Sequence, residues 1–203
     1  KQASCILPVS QMLEDAMKNC GIENQNWQRI HNVVDDFFYQ PISTITITPK
    51  MAFGTGHHQT TFMMCRALLQ NEEAVRGKVV MDMGCGTAIL AILAAKMKAS
   101  RVYGVDIDAV AAISAYDNAR KNRVGKVMET YCGDASLLQR NSYDVLLANI
   151  NRNILLQDIP TYALSLRKDG LLFVSGFYME DMPMIIGMAQ NSGLEYAGHD
   201  SVD

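Results

Sequence analysis

The 203-residue chain lacks several things, and each absence removes a class of function. It has no basic excess, since 18 Lys and Arg against 21 Asp and Glu leave a net charge of −3. Binding nucleic acid through its phosphates takes surplus Lys and Arg, so no direct sequence-specific nucleic-acid binding is expected. No apolar run approaches the ~20 residues that cross a bilayer, so no membrane association is expected. Residues 1–8 lack the pattern of a signal peptide. The five cysteines, Cys5, Cys20, Cys65, Cys85 and Cys132, are odd in number and scattered, with no CxxC. That argues against a disulfide framework and for reduced thiols in a cytoplasmic protein. Internal repeats and low-complexity tracts are missing too. What remains is 49% hydrophobic and 19% charged residues, enough for one ordinary domain plus a short appendage.

Along the chain the hydrophobic rhythm changes. Residues 9–20 have helical spacing, with Ser10 as a cap and Gly21 as the stop. Residues 43–48 alternate polar and β-branched, as in a half-buried strand that Pro49 ends. From residue 60 onward, helices and strands alternate. Helices are expected at about 60–69, 88–97, 109–121, 153–166 and 180–191. Strands are expected at 78–83, 101–107, 127–131, 143–150 and 171–177. This alternation predicts an α/β fold with a mostly parallel central sheet and helices on both faces. The thirteen methionines are expected to fill the core.

The segment 79–88, VVMDMGCGTA, carries the strongest chemical signal. A buried strand delivers Asp82, Gly84 and Gly86 into a tight turn, and a helix follows at once. Glycines let a ligand approach the backbone, and the helix start offers free N–H groups. A dinucleotide fingerprint would need a third glycine where Ile89 stands. Asp82 would repel a pyrophosphate and attract a cationic ligand. Asp106 ends the next strand, where a carboxylate can accept from ribose hydroxyls. Asp134 follows the third strand and can accept from an exocyclic amine. In this order they describe an adenosine pocket at the C-terminal edge of a parallel sheet.

These residues resemble class I S-adenosylmethionine-dependent methyltransferases, and more closely the PrmA family, which methylates ribosomal protein eleven of the large subunit. MAFGTGHHQTT (51–61), DMGCGTAILAI (82–92), GVDID (104–108), ANI (148–150) and SGF (175–177) carry the resemblance over about residues 28–203. It implies a Rossmann-like class I methyltransferase fold with S-adenosyl-L-methionine as cofactor. Thr61, Gly84, Asp106 and Asn149 would contact the cofactor, with Asp82 and Asp134. Phe53, Gly54, Gly56 and Gly86 would shape the pocket. Ala88 departs from the family, many of whose members have glycine there. Alanine tolerates helical dihedrals, so an intact site is expected. The resemblance also divides the chain. Residues 1–27 would be a remnant of a small N-terminal α/β substrate-recognition domain, 28–44 a linker with an incoming strand, and 45–203 the methyltransferase domain. The native N-terminal domain, linker and closing strand would be longer than this chain provides.

The implied reaction moves methyl groups from the cofactor to amines of a large-subunit ribosomal protein, met free of the ribosome. The nucleophile must be a neutral amine. Asn149 is the candidate catalytic residue, because its carbonyl can accept from an amine without adding charge. The AFGTG loop at 52–56 resembles a lid, with Phe53 excluding water. His57 and His58 have no third ligand at a zinc spacing, so no metal is expected. Cys85 reads as a packed thiol rather than a nucleophile. Other class I substrates, another protein lysine or RNA, remain alternatives, as does a non-catalytic ribosome-assembly factor. The NPPY or DPPY signature of many amide and base methylators is replaced here by Asn149-Ile150-Asn151-Arg152.

Overall fold

A computed structural model describes residues 29–30, 44–48 and 59–199. The expected helix at 9–20, the expected remnant domain at 1–27 and most of the linker lie outside the described residues.

Five parallel strands form the central sheet, in the spatial order Met128–Cys132, Arg101–Asp106, Val79–Met83, Tyr143–Asn149 and Leu166–Ser175. A separate two-residue antiparallel pair joins β1 (Arg29–Ile30) to β2 (Ile45–Thr46). Helices α1 (Gln59–Gln70) and α2 (Glu72–Val75) follow. The units β3 (Val79–Met83), α3 (Ile89–Lys96), β4 (Arg101–Asp106) and α4 (Ala109–Lys121) come next. Then come β5 (Met128–Cys132), β6 (Tyr143–Asn149), α5 (Arg152–Ser165), β7 (Leu166–Ser175) and α6 (Met182–Asn191). The chain runs outward from β3 to β5, then crosses back to β6. This reversal opens a crevice beyond the C-terminal ends of β3 and β6, the usual ligand position in such sheets.

Side-chain alternation on the strands builds two cores. Val80, Val102, Val145 and Leu147 face α1, α3 and α4, where Met63, Met64, Leu68 and Ile92 are buried. Met81, Met83, Leu146 and Ala148 face α5 and α6, against Leu155, Ile159, Tyr162 and Ile185. Each of the buried Val, Leu, Ile and Met side chains contributes about 1.5–3 kcal/mol. Methionine is only partly core filling, since Met179 and Met184 are exposed.

The second face is not fully covered. A single 3₁₀ turn, Ala135–Leu137, stands between β5 and β6 in place of a helix. A cavity of about 490 Å³ opens there among Val79, Met81, Tyr103, Tyr131 and Tyr143. Gly84, Asp106 and Asn149 do not line it.

Two local details depart from the sequence expectation. The last strand begins at Leu166, not residue 171. Leu166 pairs with Tyr143, and the register then jumps so that Val145 meets Leu171. The intervening residues carry turn chemistry, with Asp169 at φ 62°, and Arg167 pairs with Asp144 at 2.9 Å. The strand over 43–48 shortens to Ile45–Thr46 because side chains replace the sheet ladder. Thr46 and Thr48 donate their backbone N–H groups to Asn122 and Asn118 of α4, at 2.8 and 3.0 Å.

Candidate active site

The candidate site lies along the C-terminal ends of β3, β4, β5 and β6. Strand β3 is buried on both faces and emerges at Gly84, which is exposed with φ +64°. A Cβ there would lie 2.4 Å from Ile150 Cγ2, so glycine lets the ends of β3 and β6 close together. Gly86 also has a positive φ of 54°.

Ala88 has φ 64° as well and caps α3 in the left-handed region. This corrects the expectation of helical dihedrals. A residue with a Cβ pays about 1 kcal/mol there, and complete burial of its methyl group offsets part of that.

The sequence suggests open amides at this turn, but the protein's own carboxylates occupy some of them. Gly86 N–H donates to Asp106 Oδ2 at 2.8 Å, and Ala91 N–H donates to Asp82 Oδ2 at 3.1 Å. Asp82 therefore caps the first turn of α3 from beneath the loop, at 1% exposure. Burial raises its carboxyl to about 7, and the nearby Asp106 charge adds to the rise against the Ala91 hydrogen bond. Cys85 is buried beside Gly104, and burial followed by the two aspartates pushes its thiol well above the ordinary range. This is the setting of a packed, protonated thiol.

Asp106 is half-buried at the end of β4. Its second oxygen accepts from Asp108 N–H at 2.9 Å. The carboxylate thus ties the glycine turn to the start of α4 and keeps lone pairs for hydroxyl donors. Gly133 N–H donates to the Asp106 carbonyl at 2.9 Å, which draws the end of β5 alongside. Asp134 is exposed and accepts from Ser136 N–H at 2.9 Å. Its hydrogen bonds to Ser136 hold its carboxyl below the usual range.

On the other side of β3, Asn149 ends β6. Its Nδ2 donates to Thr61 Oγ1 of α1 at 3.0 Å, and its Oδ1 accepts from Ser175 Oγ of β7 at 2.7 Å. Among the sequence-predicted residues, the structure joins Thr61 to Asn149, Gly86 to Asp106, and places Gly84 at the turn between these pairs. Asp134 stands at the neighbouring strand end, and Asp82 lies beneath. Phe53, Gly54, Gly56, His57 and His58 lie outside the described residues.

Sequence reasoning quoted Ser175 within the SGF segment but gave it no role, and it missed Asn118. Ser175 is fully buried. Its signals are the SGF match and a small polar residue closing an apolar strand. Asn118 is also fully buried and donates to the Thr87 carbonyl at 3.1 Å, linking the glycine turn to Thr48. Its position in the middle of a helix gives no such signal.

The sequence pattern of ribosomal protein L11 methyltransferase (PrmA) matches residues 30–201. The chain belongs to the PrmA family. A PrmA relative named ribosomal protein L11 methyltransferase, from Phocaeicola vulgatus, is 46% identical over 156 residues. That match covers 76% of this chain and 54% of the relative. The protein of the same name from Porphyromonas gingivalis is 47% identical over 151 residues, covering 74% and 51%. The chain thus spans about half the length of these relatives. The crystal structure of ribosomal protein L11 methylase from Lactobacillus delbrueckii subsp. bulgaricus superposes with a TM-score of 0.65 at 30% identity. It covers 79% of this chain and 85% of that one. Precorrin 8W decarboxylase from Methanobacterium thermoautotrophicum reaches a TM-score of 0.62 at 19% identity, covering 73% and 78%, and shares the fold alone. The expected Rossmann-like methyltransferase fold is therefore the fold of this PrmA-family chain.

Proposed function

We propose that the protein transfers methyl groups from S-adenosylmethionine to amino groups, a lysine ε-amine or an N-terminal α-amine, of ribosomal protein L11. The substrate would be the free, basic ribosomal protein, met in the cytoplasm by this mildly acidic chain. The names of the relatives supply the substrate. The observation that carries the cofactor reading is the Gly86 N–H bond to Asp106. Together with the Asp82 cap on Ala91, it fills amides that a pyrophosphate would otherwise take. It leaves a rim of carboxylates suited to hydroxyl, amine and cationic groups. The residues present therefore fit an adenosyl sulfonium better than a dinucleotide.

When bound, the cofactor supplies a methyl group already activated by its sulfonium charge. The chain's own residues bind and orient. Asp106 accepts from ribose hydroxyls, and Asp134 accepts from the exocyclic amine of the base. Asp82 holds the first turn of α3 below the loop through Ala91 N–H, and Gly84 and Gly86 let the ligand approach the backbone. Asn149, held by Thr61, accepts a hydrogen bond from the neutral amine through its remaining carbonyl lone pair.

The region after Asn149 favours a protein amine over a nucleobase. Asn151 accepts from the N–H groups of Asn153 and Ile154 and so caps α5, where base methylators of this fold often carry Pro-Pro-Tyr. The deciding experiment is mass spectrometry of ribosomal protein L11 after incubation with the full-length protein and cofactor. A mass gain in multiples of a methyl group is expected, and an unchanged mass overturns the substrate. Calorimetry showing NAD binding without S-adenosylmethionine binding overturns the cofactor.

A further inference from the structure

We propose that Ser175 is a positioning residue for the reaction: its hydroxyl, on Asn149 Oδ1 at 2.7 Å, fixes the Asn149 amide in the orientation that receives the substrate amine. The inference rests on the reading of Asn149 given above.

A terminal amide turns about a broad, two-fold χ2, and nothing in a strand's backbone decides which edge carries the oxygen. The bond to Thr61 holds one edge of the amide and leaves the other edge free to swing. Ser175 supplies the second anchor. It stands opposite Asn149 in the parallel register of β6 and β7. It is fully buried, so its hydroxyl needs a protein partner. Its main chain is also held, because Ile150 N–H donates to the Ser175 carbonyl at 3.2 Å. The next residue, Gly176, packs so closely that a Cβ would lie 2.3 Å from the Ile150 carbonyl oxygen. The donor therefore sits on a backbone with little room to move. Ser175 takes one lone pair of Oδ1, and Thr61 takes one N–H on the opposite edge. One lone pair and one N–H remain for substrate and cofactor.

The test reads the amide directly, in full-length protein labelled with ¹⁵N at asparagine. The Asn149 side-chain signals, assigned by their loss in Asn149→Gln, should be dispersed in the wild type. Ser175→Ala should move them toward free-amide positions, and Ser175→Thr, which keeps the hydroxyl, should restore them. Ser175→Cys, similar in size but a weak donor, should resemble Ser175→Ala and so separates loss of the bond from loss of packing. In turnover, Ser175→Ala should lower kcat about 10- to 100-fold with little change in cofactor KM or Tm. In an Asn149→Ala background the same change should cost nothing further. Unmoved amide signals in Ser175→Ala, or equal kcat losses in both backgrounds, overturn the proposal. If Asn149→Ala keeps wild-type turnover while Ser175→Ala still shifts the amide signals, the anchoring stands, and the amine-holding role of Asn149 falls, with the catalytic part of this proposal.

Discussion

Asn149, at the end of β6, donates a hydrogen bond to the Thr61 hydroxyl in the first turn of α1 at 3.0 Å, across 88 positions of sequence. The bond joins the sheet to a helix that packs against α3 and β7. It places the side chain assigned to the substrate amine under the control of two separate elements.

Thr61→Val keeps the shape of the buried side chain and deletes the acceptor. Asn149 is half-buried, so its freed N–H can reach water. The expected cost is about 1 kcal/mol of folding stability, measured by urea denaturation. Thr61→Ser should unfold as the wild type does. Equal stability of Thr61→Val and the wild type would mean that this bond does not hold Asn149.

Asp106→Asn should weaken S-adenosylmethionine about 10- to 100-fold. The carboxylate accepts from both Gly86 and Asp108, and an amide can satisfy only one of these with oxygen. Its NH₂ edge would face a backbone donor, and the acceptor for the ribose would be lost. Charge-assisted hydrogen bonds of this kind are worth about 1.5–3 kcal/mol each. Calorimetry at fixed ionic strength reads the change. Affinity within twofold of wild type would rule out the ribose role.

Asp82 makes stability depend on pH with an unusual sign. Its carboxyl rises from 3.8 to about 7 on folding, so the folded state binds more protons between those values. The contribution of this group is therefore largest below pH 4, falls as pH rises to about 7, and is flat above that. The span from this group is roughly 4 kcal/mol. Asp82→Asn keeps an acceptor for Ala91 and removes the titration. Urea unfolding of the ligand-free protein should show a shallower loss of stability from pH 5 to pH 7.5 in Asp82→Asn than in the wild type. Parallel profiles would contradict this assignment.

Gly176→Ala should be far more costly than Gly193→Ala. Both glycines have positive φ, 96° and 87°. A Cβ on Gly176 would lie 2.3 Å from the Ile150 carbonyl oxygen, whereas one on Gly193 meets nothing within 4 Å. Gly193→Ala pays only the dihedral cost, about 1 kcal/mol. Gly176→Ala must also move backbone and should lose at least about 2 kcal/mol more by urea denaturation. Similar losses at the two positions would mean that the ends of β6 and β7 yield easily.

Much of this molecule was legible in its order of residues. The β–α alternation from residue 60 follows from local periodicity. The turn at Gly84 and Gly86 and the acids at the strand ends follow from the same rhythm, because a parallel strand presents its last residue at the sheet edge. Helix α4 occupies Ala109–Lys121, as its spacing predicts, and its start is set by the adjacent Asp108, whose carboxylate accepts from Val110 N–H at 2.8 Å.

Three features needed the folded chain. Residue 166 reads as the end of a helix and 167–170 lie outside the expected strand at 171–177, yet pairing of Leu166 with Tyr143 starts β7 there. Ala88 reads as helical, yet closure of the glycine turn forces a positive φ. Ser175 reads as part of the SGF segment, yet its partner appears only when the register of β6 and β7 sets it opposite Asn149. The sequence by itself determined the succession of elements and the candidate acids, because each depends on close neighbours along the chain. Only tertiary structure decided how Thr61, Asn149 and Ser175 meet. Their spacing comes from strand register and helix packing, which are set by how two buried cores close around the sheet and not by any local pattern.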